Sequence, residues 1–190
     1  MKLNLFIFAL FNCFIISTVS ATIKNDVSKV KTSTIALPSK SKSIWDIPPF
    51  KLMGIDGKEH QLEQWKGKVI ILNFWASWCA PCQHEIKDFI IYQKKFKNKL
   101  QVVSIGLDDK RKLKNVARTL EINYPVLFAN LDKKSTRDIL EQWGNKEGFI
   151  PYSVVIKSNG DIHYIHRGQF TRDSFNMFVY PLLLPSNYKK

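Results

Sequence analysis

Val69-Ile-Ile-Leu-Asn-Phe-Trp-Ala-Ser-Trp-Cys-Ala-Pro-Cys-Gln-His-Glu85 is the stretch from which the fold is read. It begins as a short apolar run rich in Val and Ile, the signature of a buried strand. The run stops at Trp75 and Trp78, and Cys79 and Cys82 follow. Beyond them the period changes: Ile86, Phe89, Ile90 and Phe96 fall near one helical face. The cysteines therefore sit where a strand ends and a helix begins. Unpaired N–H groups and the helix dipole at that junction favour a thiolate at Cys79. A thiolate beside a second thiol is a device for exchanging disulfides.

The rest of the composition bounds this reading. A chain of 190 residues, 45% of them hydrophobic, suits one globular domain with its own core plus a leader. Of its three cysteines, Cys13 lies in the leader, which leaves Cys79 and Cys82 as the one pair. A bond between them closes almost no loop and constrains the unfolded chain very little. A structural bridge is a poor explanation of the pair. The formal charge of +13 points reflexively to nucleic acid. The leader and the absence of a recognised nucleic-acid motif argue against that partner. The lysines instead describe a solvated basic surface, or one attracted to anionic membrane or acidic partners.

Residues 1–21 read as a signal peptide or an uncleaved anchor: Lys2, then an apolar run, then the small-residue site Val19-Ser-Ala21. Residues 22–43 form a polar, lysine- and serine-rich flexible linker. The domain is assigned to 44–186, with a basic tail at 187–190. It opens with Ile47-Pro-Pro-Phe50, an extended entry. Phe50 to Met53 and Glu59 to Gln61 pair around an Asp56-Gly57 turn. The strand Val69–Phe74 and the helix from Cys79 to about Lys97 follow. Gln101 to Leu107 is the second parallel strand of a βαβ unit. A helix carries Leu113, Val116, Ala117 and Leu120, and Pro125 to Phe128 is a short strand. Another helix is expected from Ser135. A hairpin of Tyr152 to Ile156 and Ile162 to Ile165 turns at Ser158-Asn-Gly160, and a last helix from Thr171 is interrupted by Pro181. The order predicts an α/β domain: a mixed central sheet with helices on both faces and an N-terminal β-hairpin extension.

A lone C-x-x-C is weak evidence, but a strand before it, a helix after it and aromatic residues at its mouth read as a thioredoxin-like redox motif. Cys79 is then the exposed nucleophile and Cys82, one turn inside, the resolving thiol. Asn73-Phe-Trp-Ala-Ser-Trp-Cys-Ala-Pro-Cys-Gln-His-Glu85 also resembles the active-site stretch of extracytoplasmic thioredoxin-like proteins of the TlpA/ResA/CcmG type. Gly67-Lys-Val-Ile-Ile-Leu72, Ser104-Ile-Gly-Leu-Asp-Asp109, Gly148-Phe-Ile-Pro-Tyr-Ser-Val-Val-Ile156 and Asn159-Gly-Asp-Ile162 are similar too, so the resemblance spans about Ile44 to Leu184.

The resemblance implies a thioredoxin fold and thiol-disulfide exchange in an exported protein. It places Pro151 as a cis-proline facing the cysteines, Ile150 as the residue whose backbone pairs with substrate, and Glu85 as a carboxyl that tunes proton transfer. Trp78 and Pro81 would line the partner groove. Two departures stand out. Asn73 replaces the buried aspartate of ordinary thioredoxins, which shifts attention to Glu85. Lys87 stands where the family has a proline, so the helix should run straighter here.

Other chemistries fit less well. Cys79, Cys82 and His84 lack a fourth ligand for tetrahedral zinc, so no metal is expected. Gln83 after Cys82 excludes a haem-attachment motif, and Ala76 breaks the motif expected before a peroxidatic cysteine. His163 and His166 read as solvent-facing, and Asp108 with Asp109 as helix caps. The expected function is reduction of disulfides in extracytoplasmic, periplasmic proteins, apocytochrome c among the candidates. No cofactor is needed beyond the redox-active pair. The partners are disulfide-containing proteins and a membrane thiol donor, with membrane association through the N-terminal segment. An oxidant or isomerase, or a non-catalytic binding module with idle cysteines, is the alternative.

Overall fold

The computed structural model describes residues 51–129 and 133–185. The leader 1–21, the linker 22–43, the domain entry 44–50 and the tail 187–190 lie outside the described residues. Five strands form one sheet: β3 (Val69–Trp75), β4 (Leu100–Gly106), β5 (Val126–Phe128), β6 (Tyr152–Ile156) and β7 (Ile162–Arg167), in the order β5-β4-β3-β6-β7. β3 is parallel to β4, and β4 to β5, while β6 runs antiparallel to both β3 and β7. The sheet is mixed.

Every residue of β3 and β4 is buried. This explains their near-continuous apolar runs, because a strand covered on both faces has no solvent side to make polar. Alternate side chains of β3 enter different cores. Ile70, Leu72 and Phe74 pack with Leu140 and Trp143, which places α3 (Lys133–Gln142) and its C-terminal turn on that face. Val69 and Ile71 meet Phe89 of α1 (Ala80–Phe96), Phe175 of α4 (Arg172–Phe178) and Leu183 of α5 (Tyr180–Leu183). Each such buried aliphatic or aromatic side chain contributes about 1.5–3 kcal/mol. Trp75, at the end of β3, joins Ile86 of α1 and Leu113 of α2 (Lys110–Thr119) in a third cluster that also holds both cysteines.

The N-terminal hairpin, β1 (Lys51–Met53) with β2 (Glu59–Gln61), forms a separate two-stranded sheet. Its loop docks on β5, with Gly54 bridging to Leu127 and the Ile55 N–H donating to Val126 O at 2.9 Å. That contact covers part of an otherwise open sheet edge. β5 reaches only Ser104 to Gly106, so upstream the β4 backbone needs another partner. Gln93 of α1 supplies it, accepting the Val102 N–H at 2.7 Å.

Boundaries differ from expectation by a residue or two at several elements, and three of the differences have a clear cause. α3 begins at Lys133, so Ser135 lies inside the helix and not at its cap. β5 begins at Val126, since Pro125 has no N–H for the ladder. β7 continues to Arg167, because its antiparallel register pairs Arg167 with Tyr152. The last helix does break before Pro181: Val179 separates α4 from α5.

Candidate active site

α1 starts immediately after Cys79, which occupies the N-cap position with an extended backbone. Pro81 sits in the first turn, where a missing N–H costs nothing. Cys79 and Cys82 are disulfide-bonded, with Cα atoms 5.3 Å apart, and the Cys82 N–H donates to Cys79 Sγ at 3.3 Å. The helix dipole and this donor point at the sulfur that would carry charge after reduction.

The expected exposure of Cys79 is corrected. Cys79 is only 4% exposed and Cys82 is fully buried. Both sulfurs sit in the apolar cluster of Trp75, Ala76, Ile86 and Leu113, which withdraws them from water. Of the two residues only Cys79 keeps any exposure.

One turn beyond Cys82, Glu85 is fully buried on the same helix face. Its Oε1 accepts from Asn73 Nδ2 at 2.7 Å and its Oε2 from the Phe170 N–H at 2.6 Å. Burial pushes its pKa from 4.5 up to about 8, against the opposing pull of the Phe170 N–H and the Asn73 amide. Near neutrality the carboxyl is mostly protonated. It can take or yield a proton in the range where a thiol does so. Asn73 also donates to Ser153 Oγ at 3.0 Å, its cross-strand partner in the sheet, so a buried polar cluster ties α1, β3, β6 and the turn before α4.

The walls around the sulfurs come from separate loops. Trp78, beside Cys79, is 71% exposed, whereas Trp75 is core. The Ile150–Pro151 bond is cis, and half-buried Ile150 packs against the cysteine cluster. Two side chains with no expected role at the site hold these walls. Buried Asn145 clamps Phe149, donating to its carbonyl at 2.7 Å and accepting its N–H at 3.0 Å. The clamp fixes the approach to Pro151 and leaves the Phe149 side chain exposed.

Asp108 is the other, and it is not a helix cap. Asp109 caps α2, accepting from the Arg111 and Lys112 N–H groups, while Asp108 accepts the Ser77 hydroxyl. Burial raises the Asp108 pKa, but the Ser77 hydroxyl, the Asp109 N–H and Lys112 outweigh it and hold the carboxyl below its ordinary range. Because Gln83 also donates to Ser77 O at 2.7 Å, the Trp78 loop is held from two sides. Asp108→Ala is expected to lower the rate of disulfide reduction about tenfold by loosening that loop. Asp108→Asn, which keeps an acceptor for Ser77, should recover most of it. Equal rates in Asp108→Ala and wild type would show that the contact positions nothing.

The remaining candidates are ordinary surface features. His84 is exposed on α1. His163 is exposed on β7, and His166 bonds to Gln169 O at 2.9 Å and packs edge-on against Phe170, away from the cysteine cluster. Nothing in the primary structure marks Asn145, Ser153 or Phe170, since each acts through a partner distant in sequence or through its backbone. The pair of adjacent aspartates at 108 and 109 was the one visible signal, because a single cap needs only one of them.

Three comparisons bear on this site. The family model described as the AhpC/TSA family matches residues 46–165. Thiol-disulfide oxidoreductase ResA of Geobacillus thermodenitrificans is 30% identical over 136 residues, covering 70% of this chain and 73% of the relative. Thioredoxin-like protein YneN of Bacillus subtilis is 30% identical over 129 residues, covering 66% and 71%. Among solved structures, a thiol:disulfide interchange protein of the thioredoxin family from Chlorobium tepidum superposes with a TM-score of 0.61 at 31% identity, over 72% of this chain and 94% of that one.

Proposed function

The chain belongs to the AhpC/TSA family and is a thiol-disulfide oxidoreductase, and from that premise we propose that it is exported and reduces disulfides of extracytoplasmic proteins. The observation that carries this reading is the Cys79–Cys82 pair: Cys79 at the surface edge of an apolar cluster, Cys82 fully buried one helical turn before Glu85.

In the reduced protein, Cys79 thiolate attacks one sulfur of the partner disulfide. A Cys79–partner bond forms and the other partner sulfur leaves as a thiolate. Cys82 then loses its proton and attacks Cys79 Sγ, releasing the second partner thiolate and leaving Cys79–Cys82 oxidised. Two electrons pass from the dithiol to the partner, and two protons are taken up by its thiols. In its ionised form Glu85 is suited to accept the Cys82 proton, since its raised pKa lies close to that of an ordinary thiol. Trp78, Pro81 and the Ile150–Pro151 segment receive the partner chain. No dissociable cofactor takes part, and a membrane thiol donor restores the dithiol. Apocytochrome c cysteines, which must be reduced before haem attachment, are one client of the right chemistry.

Among the described residues no helix is long and apolar enough to cross a membrane. Export, in this reading, rests on the apolar run and small-residue site of residues 1–21. The test is a Cys82→Ser variant expressed in the full chain. The mixed disulfide with Cys79 should persist, run as a high-mass band without reductant and carry the client into mass spectrometry. In wild-type cells, rapid alkylation should find the pair mostly as thiols. An empty trap while Cys79 is reduced would remove protein disulfides as the substrate, and a fully oxidised pair at steady state would reverse the direction.

A further inference from the structure

The end of α1 farthest from the cysteines carries a surface of different chemistry. α1 spans 17 residues, so at about 1.5 Å per residue its C-terminal end lies roughly 25 Å from Cys79. A cleft of about 360 Å³ opens there, and four of its lining residues are Lys94, Lys95, Lys97 and Lys99. Among the described residues no acidic side chain lines it. Lysines at a helix C-terminus are favoured by the dipole alone, but Lys97 is the cap residue and Lys99 lies past it. The basic cluster thus extends beyond what the dipole explains.

Between the lysines the cleft is apolar. Phe96 and Tyr180 meet edge to face at 6.0 Å, and Leu184 and Pro185 complete the lip. Lys99 Nζ donates to Leu183 O at 2.9 Å, which fastens α5 to the end of α1 and keeps the two sides together. Tyr180, on the cleft lip, is 41% exposed. A soluble anion or a nucleic acid would neutralise the lysines and leave this apolar surface in water. A bilayer interface solvates both, because headgroup phosphates meet the ammonium groups while the aromatic and aliphatic groups reach the acyl boundary.

We propose that this cleft docks on the anionic headgroups of a phospholipid bilayer, with Lys94, Lys95 and Lys97 on phosphates and Tyr180 and Leu184 at the headgroup boundary. The redox pair then sits at the opposite end of α1 from the docking face. The inference goes beyond the redox reading and does not depend on the direction of electron flow.

Lysine footprinting of the full chain tests it. The protein is acetylated in solution, on phosphatidylcholine vesicles, and on vesicles with one part in three of phosphatidylglycerol. Site-resolved mass spectrometry reads each ε-amine. On the anionic vesicles Lys94, Lys95 and Lys97 should react several-fold more slowly, while Lys58 and Lys114, exposed elsewhere, keep their solution rates. On neutral vesicles all five should react as in solution, even if the apolar N-terminal run inserts. Replacing Lys94, Lys95 and Lys97 together by Gln should lower the anionic-over-neutral partition ratio about a hundredfold and leave reduction of a small disulfide unchanged. Uniform reactivity, or equal protection of Lys58 and Lys114, overturns the proposal. So does equal protection of the three lysines by glycerol phosphate or single-stranded DNA, since the cleft would then be a general anion site.

Discussion

Cys79→Ser is expected to lower the reduction of a protein disulfide, with dithiothreitol as donor, on the order of a thousandfold or more. A serine hydroxyl does not ionise near neutral pH, even with the Cys82 N–H and the helix dipole directed at it. Nor can it form the mixed disulfide. Cys82 does not substitute, because it is fully buried and a partner sulfur cannot reach it. The variant should nevertheless fold, since the bond it removes spans a sequence separation of 3 and restrains the unfolded chain very little. Cys82→Ser should fail differently, reacting once and stopping at the mixed disulfide. If Cys79→Ser reduces the test protein as fast as wild type, the cysteines are idle and the fold serves only for binding.

Glu85→Gln should change the pH dependence of stability, with a crossover. The folded protein holds the Glu85 pKa up at about 8 against a model value of 4.5. Below pH 4.5 the carboxyl is protonated both folded and unfolded and contributes no pH dependence. As pH rises from there, the unfolded chain releases its proton first, so stability falls until the folded carboxyl also ionises near pH 8. The full loss is about 5 kcal/mol. Glutamine carries no such penalty, although its single amide oxygen cannot accept from both Asn73 Nδ2 and the Phe170 N–H, so one donor is left facing its NH2 group. Wild type should therefore be the more stable protein near pH 5 and Glu85→Gln the more stable above pH 8. Denaturant midpoints across that range, taken on the oxidised proteins, measure it. Parallel curves would mean that Glu85 titrates at an ordinary carboxylate value.

The two cases differ in how much of them was legible beforehand. The role of Cys79 was visible because everything that defines it is local: a strand ending in tryptophan, a two-residue gap, and a helical period after it. The ladder β3-α1-β4 was legible for the same reason, as were the Asp56-Gly57 and Asn159-Gly160 turns. Glu85 could be named only through family resemblance. Its environment consists of Asn73 on β3 and a backbone N–H at Phe170, neither of which shows in the spacing of residues around it. The near-complete burial of Cys79 was missed because exposure is a property of what packs against a residue. Here Leu113 and Ile86 close over the junction from two different helices.

The sequence by itself determined the element order, the strand-to-helix junction and the pairing of Cys79 with Cys82, since those depend on periodicity and neighbours along the chain. The tertiary structure decided that Cys79 keeps only an edge at the surface and that burial raises the Glu85 pKa. It also decided that Asp108 and Asn145, and not a cap or a turn residue, hold the loops around the sulfurs. Each of those follows from desolvation or from a hydrogen bond across the fold. Such effects exist only once distant segments are brought together and water is excluded between them.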